Sequence, residues 1–205
     1  MAWSERDEAG VTSLFAARVA PIDDLADHAE DVARACHAMA ASFHRGGTLI
    51  VFGNGGPSTD AQHVAVEFVH PVIVGKRALP AISLTADVAT VTGVANRYGL
   101  AEVFAHQLRI LGGPKDIALG ISSDGNCANV QKGLAQARAS GMLTIAMVGG
   151  DGGAIAAAAD VDHLLVARSA DPLVVKEVHV TTYHILWELV HVFFEHPGVL
   201  EPSFT

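Results

Sequence analysis

Five short, unbroken apolar runs, spaced along the chain from residue 48 onwards, constrain the fold more than any other feature of the sequence. Unbroken apolarity indicates strands that are buried on both faces, as in a parallel sheet. The runs are TLIVFG (48–53), LPAISLT (79–85), DIALGIS (116–122), LTIAMVG (143–149) and DHLLVAR (162–168). Helical patterns lie between and after them, over 58–70, 87–111, 126–140, 153–159 and 172–195. This alternation predicts a doubly wound α/β domain with a parallel sheet.

The region before the first strand predicts a helical hairpin. Apolar residues at helical spacing between 11 and 46 indicate two helices, and Pro21 is expected to separate them. Asp23 or Asp24 is a suitable cap for the second helix. We therefore expect N-terminal helices over 1–47, in one unit with a main domain over 48–196, and a loose tail over 197–205.

The composition excludes several classes of protein. A formal net charge of −9 argues against a nucleic-acid-binding surface, which requires clustered Lys and Arg. No apolar run reaches the roughly 18 residues of a membrane helix, and the charged start MAWSERDEAG lacks the apolar stretch of a signal peptide. Two cysteines provide neither a disulfide framework nor zinc-site spacing. We expect a cytoplasmic protein whose abundant apolar residues fill a large core or an interface between subunits.

Three loops follow predicted strands at the edge where ligands bind in such sheets. They are GNGGPST (53–59), SSDGNCAN (122–129) and GGDGG (149–153). The first two lead into helices, whose free N–H groups and dipole favour an anion. A glycine-rich loop also occurs as a simple tight turn, so both interpretations stay open for each loop taken alone.

His63 and Glu67 lie four residues apart and therefore share one face of the helix that follows the first loop. A carboxylate beside an apolar wall can act as a general base, and a His/Glu pair at this spacing can bind a metal ion. The alternative is a solvated surface pair.

The last predicted helix carries polar residues in an apolar background. Glu177, His184 and His191 are seven residues apart and form one stripe, whereas Lys176 is offset from His184 by about 80°. The stripe is either solvated or functional. We expect His191 and His196 to lie at the surface, and Cys127, which has no evident base beside it, to be a packing residue.

Several motifs, in order and at consistent spacing, resemble the phosphoheptose isomerases of the SIS (sugar isomerase) domain family. They are GNGG…DAQHVAVEF, LPAISLT, VANRYG…EVFAHQL, GISSDGNCANV and KEVHVTTYHILWELV. The resemblance covers most of the chain. It implies a flavodoxin-like three-layer α/β/α fold and a homotetramer with active sites between subunits. It also implies conversion of the sugar phosphate sedoheptulose 7-phosphate to an aldoheptose 7-phosphate through an enediol.

The resemblance assigns roles by position. Glu67 matches the catalytic base and His184 its acid/base partner, and His63, Glu67 and His184 match three zinc ligands of family members. The matching substrate contacts are Asn54, Gly55, Gly56, Asn96, Arg97, Ser122, Ser123, Asp124, Cys127 and Lys176.

The chain departs from the family pattern around these residues. Lys176 replaces a glutamine that binds zinc and substrate, and an ammonium group must lose its proton before it can coordinate. Pro57 replaces a serine, Arg97 an aspartate and Pro71 an arginine. The phosphate loop, usually Ser-Thr-Ser-Gly-Asn-Ser, reads Ser-Ser-Asp-Gly-Asn-Cys over 122–127, and an ionised Asp124 would repel a phosphate.

These departures lead to three hypotheses. In the first, an Arg97–Asp124 ion pair or the Lys176 charge compensates, and the chain is an isomerase of the phosphoheptose type. In the second, the chain binds a sugar phosphate or a protein without catalysis. In the third, it isomerises a different sugar. The retained acid/base residues favour an enzyme.

Overall fold

The computed structural model describes residues 5–200 and contains one parallel sheet. Its strands are β1 Leu49–Gly53, β2 Ala81–Ser83, β3 Ile117–Ser122, β4 Leu143–Gly149 and β5 His163–Ala167. They lie in the order β2-β1-β3-β4-β5 with every pair parallel. The predicted α/β fold is confirmed, and this order is that of flavodoxin-like domains.

Alternation of side chains along the strands explains why the strands are apolar throughout. In β1, Leu49 and Val51 pack into the core on one face, and Ile50 and Phe52 pack into the core on the other. Successive strand residues point to opposite faces, so both faces need apolar side chains. Each face is covered by helices, which completes the three layers.

The helices divide between the two faces. One layer contains α1 Glu5–Asp27, α2 Ala29–His44, α3 Gly56–Val69 and α8 Pro172–Glu195. The other contains α4 Val88–Tyr98, α5 Val103–Leu111, α6 Ala128–Ala139 and α7 Gly153–Ala158. Short 3₁₀ turns lie at Leu100–Glu102 and Pro197–Val199.

The N-terminal hairpin forms, but its predicted break is wrong. Pro21 lies inside α1, and the chain turns at His28 instead. Neither Asp23 nor Asp24 begins a helix. Contacts with the rest of the protein hold α1 on both sides of the proline, because Arg18 before it pairs with Glu177 of α8 at 2.6 Å and Leu25 after it is buried. These contacts offset the one backbone donor that a proline removes.

The predicted helical region 87–111 is divided. Gly99 ends α4 with φ of 90°, a left-handed conformation that residues with a Cβ rarely adopt. The 3₁₀ turn follows, and α5 begins at Val103. The second strand is also shorter than the predicted 79–85, because only Ala81–Ser83 pairs with β1. Residues 201–205 of the predicted tail lie outside the described residues.

The order of the strands places a crevice between β1 and β3, where the chain winding changes direction. Asn54, just beyond β1, and Asn129, in the first turn of α6, hydrogen-bond to each other across it, with N···O distances of 2.6 and 2.9 Å. Ligands bind at such switch points in open α/β sheets. Within residues 5–200, no helix has the length and apolarity needed to cross a membrane.

Candidate active site

Two helices, α3 and α8, begin at the carboxyl edge of the sheet and run in the same direction. Gly55, with φ of 62°, allows the chain to turn from β1 into α3. The Asp171 side chain caps α8 by accepting the Leu173 N–H at 2.9 Å. Asp60 of α3 contacts Lys176 of α8, and contacts between the two helices continue in the same order from there.

His63, Glu67 and His184 lie together between these helices. His63 Nε2 is 3.1 Å from Glu67 Oε1, and the two imidazole rings have centroids 5.4 Å apart. One potential ligand atom from each residue lies within 4.8 Å of those of the other two. The Glu67 side chain is 15% exposed and that of His63 is 46% exposed. The cluster therefore combines a shielded carboxylate with an open side that a small molecule can reach.

Two aromatic side chains of α8 support this cluster. Trp187 donates its indole N–H to the backbone carbonyl of Glu67 at 2.9 Å. The Tyr183 ring is 5.4 Å from the His63 ring and 4.8 Å from the His184 ring. Burial, with the charges of Asp60 and Glu67, raises the pKa of Tyr183 to about 12, so its hydroxyl stays protonated. These contacts fix the position of Glu67 relative to α8.

Lys176 bonds to a residue that the sequence analysis missed. Its Nζ lies 2.6 Å from Oδ1 of Asp60, which is buried, and 3.5 Å from the Gly56 carbonyl oxygen. Lys176 is therefore paired with a carboxylate one turn before His63. The signal in the sequence is the spacing of Asp60, His63 and Glu67, which places them at i, i+3 and i+7 on one helical face.

The loop after β3 satisfies its own polar groups. Asp124 Oδ1 accepts the Asn126 N–H at 2.9 Å and the Ser122 hydroxyl at 3.3 Å, and Ser122 Oγ accepts the Gly125 N–H at 3.0 Å. The bond from the Asn126 backbone is the main cause of a lowered Asp124 pKa, which keeps this carboxylate charged near neutral pH. Ser123 is exposed and Cys127 is half-buried beside the start of α6. Donors that a phosphate would use are thus occupied by a carboxylate.

The hypothesised Arg97–Asp124 ion pair is absent from the part of the chain that the structure describes. Asp124 is satisfied within its own loop, and the Arg97 guanidinium lies over the Tyr98 ring at 5.2 Å. Asn96 and Arg97 are both exposed at the end of α4. Within the described part of one chain, neither Asn96 nor Arg97 contacts the His63–Glu67–His184 cluster.

The expectation for His191 is wrong, whereas His196 is exposed as predicted. His191 is only 2% exposed, and its ring nitrogens lie 2.8 Å from the Trp187 carbonyl and 3.0 Å from the Arg77 carbonyl. Its ring also packs against Phe68 and Trp187. Backbone acceptors replace the water that a surface position would provide, so His191 joins α8 to the segment after α3.

Comparison with known proteins agrees with this fold. The SIS domain family model matches residues 16–149, and the chain therefore belongs to the SIS domain family. Within that family it is similar to the phosphoheptose isomerases. It is 41% identical over 170 residues to the phosphoheptose isomerase of Solidesulfovibrio magneticus, covering 82% of each chain.

Two solved structures show the same similarity in three dimensions. A phosphoheptose isomerase from Francisella tularensis superposes with a TM-score of 0.84 at 30% identity, covering 93% of this chain and 100% of the other. That of Neisseria gonorrhoeae has a TM-score of 0.82 at 32% identity, covering 89% and 97%. The three-layer fold and its five-stranded sheet are thus those of phosphoheptose isomerases.

Proposed function

We propose that this protein is an aldose–ketose isomerase of sugar phosphates that converts sedoheptulose 7-phosphate to an aldoheptose 7-phosphate. The observation that carries the proposal is the His63–Glu67–His184 cluster, which is open to solvent between α3 and α8. Similarity to proteins named phosphoheptose isomerase over four fifths of the chain supports the choice of substrate.

Glu67 and His184 perform the proton transfers. Glu67 removes a proton from C1 of the ketose, and the electron pair forms a C1–C2 double bond as the C2 oxygen gains a proton. His184 carries the proton between the C1 and C2 oxygens. Glu67 then returns its proton to C2, so that the aldose forms with no net change of atoms or electrons. A shielded carboxylate held by a neighbouring helix suits this general-base role.

The donor set fits zinc. His63, Glu67 and His184 would hold the ion, and three protein ligands with one open position are typical of catalytic zinc sites. Bound zinc would polarise the substrate carbonyl and stabilise negative charge on its oxygen. Lys176, which is paired with Asp60, supplies a fixed positive charge nearby instead of a fourth ligand.

We propose the remaining substrate contacts from the family resemblance and from where the structure places these residues. Asn54, Gly55 and Gly56 line the start of α3, and Ser122, Ser123, Asp124 and Cys127 the loop before α6. Lys176 lies between α3 and α8, whereas Asn96 and Arg97 project from α4. We propose that Asn96 and Arg97 act in a homotetramer whose sites lie between subunits, which light scattering can test.

We propose a cytoplasmic location, which the two cysteines support. Both are free thiols, and burial raises the pKa of Cys36 to about 12, which leaves it unreactive. Such a pair of thiols suits a reducing compartment.

A second candidate is supported by the loop after β3. Because Asp124 occupies its donors, the loop is a poor phosphate cradle, which favours a sugar ligand without phosphate or a protein that binds its ligand without turnover. Turnover of free sedoheptulose would support a sugar ligand without phosphate. Binding without turnover would support a protein that binds its ligand but does not catalyse a reaction.

The decisive experiment measures turnover of sedoheptulose 7-phosphate by the full chain, with added zinc and with chelator. Glu67→Gln is expected to lower kcat by about 10²- to 10⁴-fold, the usual contribution of a general base. Glu30→Gln makes the same change at a highly exposed position of α2 and should leave kcat unchanged. Absence of turnover under both conditions would overturn the proposed activity.

A further inference from the structure

A small cavity of about 220 Å³ lies between the loop after β1 and the first turns of α8. Its lining includes Gly56, Asp60, Ser123, Lys176 and His179. Ser123 is exposed and the Lys176 side chain is 43% exposed, so the cavity can be reached from solvent. Asp60 shares a helical face with His63 and Glu67, which places the cavity about one turn from the proposed catalytic cluster.

Two residues that line the cavity each carry a buried polar atom with no hydrogen-bond partner among the residues that the structure describes. The atoms are Oδ2 of Asp60 and Nε2 of His179, from side chains whose residues are 4% and 2% exposed. Lys176 bonds only to the other carboxylate oxygen of Asp60. Leaving such groups unpaired is costly, so a buried polar atom beside a cavity implies a ligand or water that pairs with it.

The protonation of these two atoms determines which groups of a ligand they can bind. Burial lowers the pKa of His179, so that its ring is neutral near pH 7, and the ring also hydrogen-bonds to the Val148 backbone. Because Nε2 has no partner, we assign the ring proton to Nδ1, as donor to the Val148 backbone, and this assignment makes Nε2 an acceptor. Asp60 Oδ2 is an acceptor too. Both atoms require donors, and a phosphate oxygen would be repelled.

We propose that this cavity is a subsite for hydroxyl groups of the sugar, in which His179 and Asp60 determine specificity by accepting hydroxyl hydrogens. Lys176 holds Asp60 in place through its 2.6 Å contact with Oδ1. The inference rests on the proposed isomerase function and adds that the protein recognises the hydroxyl groups of its substrate through these two acceptors. It assigns roles to two residues that the comparison of motifs did not assign.

The test measures binding directly, by calorimetry on the full chain, with sedoheptulose 7-phosphate, free sedoheptulose and inorganic phosphate as probes. His179→Phe keeps a flat ring but removes the acceptor. Its affinity for both sugars should fall about tenfold, the effect of one buried hydrogen bond, while any affinity for inorganic phosphate is unchanged. In turnover, KM should rise and kcat should be retained. His179→Gln, whose side-chain oxygen remains an acceptor, should restore part of the affinity.

His191→Phe is the matched control, because it also removes a buried histidine from α8. Unlike Nε2 of His179, both ring nitrogens of His191 already have backbone partners. It should lower thermal stability and leave sugar affinity unchanged. If His179→Phe does not fold, Asp60→Asn makes the corresponding test at the other acceptor and should weaken binding of both sugars.

The outcomes distinguish the proposed subsite from the proposed isomerase function. Unchanged sugar affinity in folded His179→Phe, or no binding of either sugar by the unaltered chain, would overturn the subsite. Sugar binding that depends on His179 but is not followed by turnover would support the subsite and overturn the isomerase function. Turnover that is insensitive to both variants would leave the function standing and refute the subsite.

Discussion

The face shared by α3 and α8 and the loop after β3 meet at the same edge of the sheet, yet they treat their polar groups differently. Between the helices, His63, Glu67 and His184 contact one another and face an open side. In the loop, Asp124 accepts hydrogen bonds from Ser122 and Asn126 and leaves little for a ligand. The residues proposed for proton transfer are therefore open to a ligand, whereas the loop proposed to hold the phosphate satisfies its own polar groups.

The largest effect is expected at the helical face. His184→Phe should lower kcat for sedoheptulose 7-phosphate by about 10²- to 10⁴-fold, because it removes the group proposed to move the proton between oxygens. Steady-state kinetics would show the loss in kcat with a smaller change in KM. A variant with unaltered kcat would mean that this face does not perform the chemistry.

Lys176 tests whether the helical face also controls metal binding. Lys176→Gln removes an ammonium charge near the three potential zinc ligands and supplies a neutral oxygen, so zinc affinity should rise about tenfold or more. Competition with a chromophoric chelator measures this, and Lys132→Gln on the exposed face of α6 is the control. Equal zinc affinity in both variants would show that Lys176 does not limit metal binding.

A substitution in the loop after β3 is expected to have a smaller effect and to increase substrate affinity. Asp124→Ser removes the carboxylate and frees the Asn126 N–H, so affinity for sedoheptulose 7-phosphate should increase by roughly three- to tenfold. Affinity for free sedoheptulose should not change, which separates phosphate recognition from sugar recognition. A gain for both sugars would contradict the assignment of this loop to the phosphate.

The smallest expected effect is a pH dependence of stability. The pKa of buried His179 is lowered from 6.5, so below that value the unfolded chain binds a proton that the folded chain excludes. Stability is therefore complete above pH 6.5 and falls as the pH decreases through the folded-state pKa. Thermal unfolding between pH 7.5 and about 5 should show a shallower loss in His179→Phe. His163, whose pKa is also lowered by burial, contributes equally to both proteins.

Much of the fold could be predicted because burial on both faces of a parallel sheet leaves a direct pattern in the sequence. All five apolar runs contain strands. The errors occurred where tertiary contacts outweigh local preference, as at Pro21, which α1 accommodates through Arg18 and Leu25. At Gly99 the error has a local cause. A backbone turn with positive φ divides a sequence pattern that is helical on both sides of it.

The candidate site was predictable in part for the same reason. Helical spacing places His63 and Glu67 on one face, and the resemblance to phosphoheptose isomerases assigns His184 to them. The partners of Lys176 and His191 could not be predicted, because pairing across helices depends on how α3 and α8 pack. Asp60 and His179 were not predicted as site residues, because the sequence alone does not show whether a polar residue is buried or exposed.

The hydrogen bond from Trp187 to the carbonyl of Glu67 also makes the protein suited to optical study. The chain has two tryptophans, Trp3 and Trp187, and the indole of Trp187 is buried against the helix that carries the proposed base. Emission from that indole depends on the polarity around it, so ligand or metal entering between α3 and α8 should change its intensity or wavelength. With Trp3→Phe, the remaining fluorophore would report occupancy of the site in real time without a label.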